Sequence, residues 1–112
     1  MPSMNRYEIL GHLGKDPDVK YAASGTVICN FSIATTDKRK DRDGQWQEET
    51  EWHNVVAFGK TAEFCKDYLH KGSLVLVRGK HKTQKWEDKE GKMNYKSECV
   101  ADNFGGVLAL GS

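Results

Sequence analysis

From Thr50 to Lys60 the chain alternates in character. Trp52, Asn54, Val56 and Phe58 fall at every second position, with Val55 and Ala57 between them. Successive side chains of a strand point to opposite faces, so this segment predicts one strand with a small apolar inner face and two aromatics on the outer one. Ser73–Trp86 repeats the idea, with Leu74, Leu76, Arg78, Lys80, Lys82, Gln84 and Trp86 alternating with Val75, Val77, Gly79, His81, Thr83 and Lys85. Val27, Cys29, Phe31 and Ile33 share a face opposite Thr26, Asn30 and Ser32, the period-two signature of a half-buried strand. Further strands are expected over Asn5–Leu13 and Met93–Ala101, with a short extended piece at Val19–Tyr21.

Between them lies turn chemistry: Gly14-Lys15-Asp16-Pro17-Asp18, Ser24-Gly25, Asp43-Gly44 and Lys89-Glu90-Gly91-Lys92. Thr36–Gln45 reads as a polar, charged loop. Lys60–Lys71 carries the one helical stripe, Ala62, Cys65 and Leu69 widened by Phe64 and Tyr68, with Gly72 at the position where a C′ glycine belongs and Lys71 in the last turn. The tail Val107–Leu110 is apolar and is expected to pack or pair. Three strands, a helix and two strands is the order of an all-β, five-stranded OB-fold, a Greek-key barrel with one α-helix between its third and fourth strands. Residues 1–4 read as an extension and 5–112 as the single domain.

Charge changes this picture through its distribution. Net charge is only +1 over 112 residues. Yet Arg78–Lys96 holds seven cations against three carboxylates, and Lys38-Arg39-Lys40 with Arg42 forms a second cluster. Exposed aromatics among cations suit unpaired nucleic acid, whose bases stack and whose phosphates need countercharge. The three cysteines are isolated, which argues against a disulfide framework and for a reducing compartment. The four histidines lack ligand spacing, and neither a nucleophile motif nor a phosphate-cradling loop is present, so no catalytic residue, metal or cofactor is expected. Apolar runs are too short for a helical membrane span, and the chain opens without the apolar stretch of a secretory signal.

The motifs say more. Gly11-His12-Leu13-Gly14-Lys15-Asp16-Pro17, Asn30-Phe31-Ser32-Ile33-Ala34-Thr35, Thr50-Glu51-Trp52-His53, Phe58-Gly59-Lys60 and Thr83-x-Lys85-Trp86-x-Asp88 follow in order, and the chain resembles the bacterial-type single-stranded DNA-binding protein family over about residues 5 to 110. The resemblance implies that Trp52, Phe58 and Trp86 stack on bases and that Arg6, Lys60, Lys71 and Lys85 lie near the DNA path, with Arg39 and Lys82 added from the two cation clusters. It implies a homotetramer with Asn5 and His53 at subunit contacts. The competing reading of His53 is an interior histidine hydrogen-bonded within its own subunit.

The chain departs from the family at several positions. Asn54 and Gln84 stand where relatives often carry arginine, Glu8 where an apolar residue is usual, and Lys38-Arg39 where another aromatic is common. Trp46 lies further along the same hairpin, on a face that the pattern leaves open. No disordered linker or acidic tip follows Asp102, so recruitment of replication and repair proteins is not expected of this chain. The function implied is sequence-tolerant binding and protection of single strands in DNA replication, recombination and repair. It would act in the bacterial cytoplasm, encoded by host, plasmid or phage. The alternative is a primosomal accessory OB protein that mediates helicase loading. RNA remains open as a ligand, since stacking platforms accept either sugar.

Overall fold

A computed structural model describes residues 1–103 and 105–111; Phe104 and Ser112 lie outside the described residues. The chain forms β1 (Tyr7–Leu13), β2 (Asp18–Tyr21), β3 (Val27–Lys40), β4 (Trp46–Phe58), α1 (Gly59–Tyr68), β5 (Leu74–Glu87), β6 (Met93–Ala101) and β7 (Val107–Gly111). Pairing runs β1-β3-β4-β6-β5 and returns from β5 to β1, which closes a five-stranded barrel. All its contacts are antiparallel except β4 with β6. The helix falls between the third and fourth barrel strands, as expected. β2 is laid on β3 and β7 on β5, so the short piece near Val19 and the apolar tail both find strand partners.

The inward faces are those the alternation predicts. Cys29 and Ile33 of β3, Val55 and Ala57 of β4, Val75 and Val77 of β5 and Cys99 of β6 are buried together. Burying a side chain of valine size contributes about 1.5–3 kcal/mol, so this interior is the main stabilising term. The helix adds Ala62 and Cys65, with Leu69 just beyond its end. Thr61 Oγ1 donates to the carbonyls of Asp102 and Asn103, tying the helix start to the end of β6. All three cysteines are buried and free, and burial, aided by Asp102, pushes the Cys99 thiol up to about 11. Gly11 is required where β1 crosses β3, since a Cβ there would collide with the Ala34 carbonyl. No helix is long and apolar enough to cross a membrane.

Three expectations need correction. The helix ends at Tyr68, not Lys71. Its C-cap is Leu69, already extended, because this short helix has turned Leu69 into the core. Gly72 therefore sits in the following turn, at φ +89°, where its N–H donates to the Leu13 carbonyl, and Lys66 occupies the helix's last turn in place of Lys71. Thr36–Gln45 is not a loop, since β3 continues to Lys40 and pairs with β4 as far as Trp46. Cross-strand partners such as Thr36 with Thr50 and Lys38 with Glu48 satisfy a polar strand that has no core behind it. The first strand begins at Tyr7, so Asn5 and Arg6 precede it.

Both long hairpins close with one device. Asp41 accepts from the N–H groups of Asp43 and Gln45 and from the Gln47 amide. Asp88 does the same for Glu90, Lys92 and Asn94. Gly44 and Gly91 supply the positive φ that each turn requires.

Candidate nucleic-acid interface

β3, β4, β6 and β5 are neighbours in that order, and register decides what their shared outer face carries. Val56 is paired with Val100, Val100 with Lys80, and Trp52 with Ala34. Alternation from these anchors puts Trp46, Trp52, Asn54 and Phe58 of β4 on one surface with Lys38 and Lys40 of β3, Lys96 and Glu98 of β6, and Lys80, Lys82, Gln84 and Trp86 of β5. The aromatics on it are open to solvent: Trp46 is 64% exposed, Trp52 57%, Phe58 41% and Trp86 46%. Large apolar rings seldom stay this exposed side by side with cations unless something stacks on them.

Trp52 forms one wall of a cleft of about 520 Å³ lined also by Gly14, Lys15, Asp16, Asn30, Ser32, Asn54 and Lys96. Its indole lies over Gly14. On the cleft floor Ser32 Oγ donates to Asn54 Oδ1 at 3.3 Å. Asp16 Oδ1 accepts the Lys71 backbone N–H at 2.8 Å, so the turn after the helix is fastened to the loop that forms the cleft rim.

The expected site residues are dispersed more widely than the pattern implied. Trp52, Phe58, Lys82 and Trp86 share the outer face. Lys85 is on the opposite side of the β5–β6 hairpin from Trp86, with its Nζ 5.9 Å from the Tyr95 ring centroid. Arg39 is likewise on the far side of the β3–β4 hairpin, where it is ion-paired with Glu49. Arg6 precedes β1 and pairs with Glu8 at 2.6 Å. Glu8 also lies 3.7 Å from Arg78, which accounts for a carboxylate at a usually apolar position. Lys60 is exposed in the first turn of the helix and Lys71 in the turn after it.

Sequence reasoning passed over Lys40 and left the face of Trp46 open. The two are directly paired across the hairpin, with Lys40 Nζ 5.3 Å from the Trp46 ring centroid. The signal was the even spacing from Trp46 to Trp52, legible only once β4 is known to begin at Trp46.

His53 and Asn5 sit beside β1. Tyr7 Oη lies 2.5 Å from His53 Nδ1, and Thr35 Oγ1 lies 2.8 Å from Nε2. Burial first, then Cys99 and Glu51, raise the Tyr7 phenol above its ordinary value, so it keeps its proton and donates to Nδ1. His53 then carries its proton on Nε2 and donates to Thr35. Both ring nitrogens are thus used inside one chain. Asn5 exchanges two hydrogen bonds with the His81 backbone, extending the β1–β5 ladder by one side chain.

The model of the single-strand binding protein family matches residues 4–107. Among solved structures the chain is similar to that of the Plasmodium falciparum SSB complex with ssDNA, at TM-score 0.89 and 28% identity over 98% of this chain and 97% of that one. It is also similar to a deletion mutant of the single-stranded DNA binding protein from Thermus aquaticus, at TM-score 0.80 and 29% identity over 96% of this chain and 50% of that chain. The chain thus spans half the length of the Thermus relative.

Proposed function

We infer that this chain, which belongs to the single-strand binding protein family, binds single-stranded DNA without regard to sequence and protects it during replication, recombination and repair. The observation that carries the reading is the single outer face on which Trp46, Trp52, Phe58 and Trp86 stand exposed among Lys38, Lys40, Lys80, Lys82 and Lys96. Every base has a flat face, so stacking on such rings discriminates single strands from duplex without reading sequence. Lysines along the same face supply the salt-dependent share of the affinity. The resemblance to an SSB complex with ssDNA supports the same ligand. Fluorescence titration with oligo-dT, matched duplex and oligo-rU at two salt concentrations tests this. Quenching by dT alone, weakened by salt, is expected, and equal binding of the duplex would overturn it.

The chain acts as a homo-oligomer, most simply the tetramer. Two features support this. β1 pairs with β3 only at His12 and Leu13, which leaves Tyr7–Gly11 with one open edge. Beyond it, Leu10, Leu76 and Leu108 stand in one row across β1, β5 and β7, and Leu10 and Leu108 are exposed. Asn5 and His53 lie beside that open edge and are the proposed contacts.

A further inference from the structure

Glu98 is out of character with its surroundings. It is the one buried carboxylate among the described residues, at 5% exposure, and it lies on the face proposed to hold a polyanion. Its one side-chain hydrogen bond comes from the neutral Gln84 amide, Nε2 to Oε1 at 2.6 Å. Among the described residues it belongs to no ion pair. The charged groups around it are nonetheless cations. On its own strand Lys96 is two residues away. On β5, Lys82 is directly opposite, flanked by Lys80 and Gln84. On β4 the neighbour by register is the uncharged Asn54, next to the pair of Val55 with Cys99. A negative charge at this depth sees little screening by salt and acts on whatever lies above it.

We propose that Glu98 is a built-in restraint on strand binding: a fixed negative charge beneath the interface that offsets Lys82 and Lys96 and holds affinity below what the lysines alone would give. The proposal rests on the single-stranded DNA reading. It makes base stacking, rather than phosphate attraction, the larger share of binding, and it favours ready release of the strand.

The test compares the unaltered chain with Glu98→Gln, which keeps an acceptor for Gln84 and removes only the charge. Both are titrated with a dT oligomer across a range of NaCl. Glu98→Gln is expected to bind about five- to ten-fold more tightly at low salt, the effect of one unit charge some 8 Å from a phosphate at intermediate dielectric. The two affinities should converge at high salt. Equal or weaker binding with an unchanged melting temperature overturns the restraint. Should Glu98→Gln fail to fold, Lys82→Gln and Lys80→Gln decide. With the carboxylate opposite Lys82, loss of Lys82 should flatten the salt dependence less than loss of Lys80, and an equal or larger loss overturns the proposal. Binding by the unaltered chain without these differences removes the restraint alone. No binding of dT by the unaltered chain removes the ligand reading and the restraint together.

Discussion

Trp52 rests on Gly14 so closely that a Cβ there would fall 2.5 Å from Cη2 of the indole. Strand β4 supplies the ring and the loop after β1 supplies the space for it. Gly14 lacks the positive φ that would bar alanine on backbone grounds, so Gly14→Ala should displace the ring rather than the loop. The expected result is weaker dT binding, by roughly ten-fold if one stack worth about 1–3 kcal/mol is lost. The melting temperature should move little, and Trp52→Ala should give a similar loss. Fluorescence titration with thermal melting of the same samples checks both.

Lys40 and Arg39 are neighbours in sequence and opposites in space. Lys40 flanks Trp46 on the aromatic face, while Arg39 is engaged with Glu49 behind it. Lys40→Gln should therefore reduce the slope of log affinity against log salt by up to about 0.7, the value for one neutralised phosphate on a single strand. Arg39→Gln should leave the slope nearly unchanged. Equal slopes for the two variants would mean that the strand contacts both sides of the hairpin.

His53 joins Tyr7 of β1 to Thr35 of β3 beside the open edge of β1. His53→Tyr should shift the protein toward smaller species on dilution, and affinity for long DNA should fall more than affinity for a short oligomer, because only a long strand engages several subunits. Light scattering over a dilution series reads the first effect. A melting temperature lowered equally at all concentrations would instead confine His53 to its own chain, since subunit contacts make stability concentration-dependent.

The two hairpin tips respond to acid together. Asp41 is held below the usual carboxylate range first by the Gln45 N–H and then by the Gln47 amide; Asp88 is held there first by the Lys92 N–H and then by the Asn94 amide. A depressed folded value means that the stabilisation is complete above the unfolded value of about 3.9 and is lost as pH falls through the lower folded one. Both tips should stay ordered at pH 5 and fray only under stronger acid. Chemical shifts of the Gln45 and Lys92 amides report this directly, and Asp88→Ala should loosen its own tip at neutral pH and leave the other alone.

The barrel was legible because Val27–Ile33, Val55–Ala57 and Val75–Val77 alternate cleanly, and a one-residue slip would turn each set out of the core. Trp52, Phe58 and Trp86 followed from the same parity. Beyond residue 36 that logic fails, because the hairpin arms have solvent on both sides and no apolar partner fixes the period. Arg39 was accordingly grouped with Lys40. Glu98 was invisible for a related reason: its meaning comes from Gln84 and Lys82 on the adjacent strand, and a lone carboxylate in a polar run carries no such information. The contact of Gly14 with Trp52 joins residues far apart in sequence, which no local pattern records.

The cleft beside Trp52 has an open top, and the aromatic face runs on past it along both hairpin arms. Nothing in one chain forms a ring or a tunnel around that path. A polymer can therefore enter from the side, anywhere along its length, without a free end to thread. A covalently closed circle should be as good a ligand as a linear piece of the same length, and a strand already held at both ends by other machinery should remain accessible.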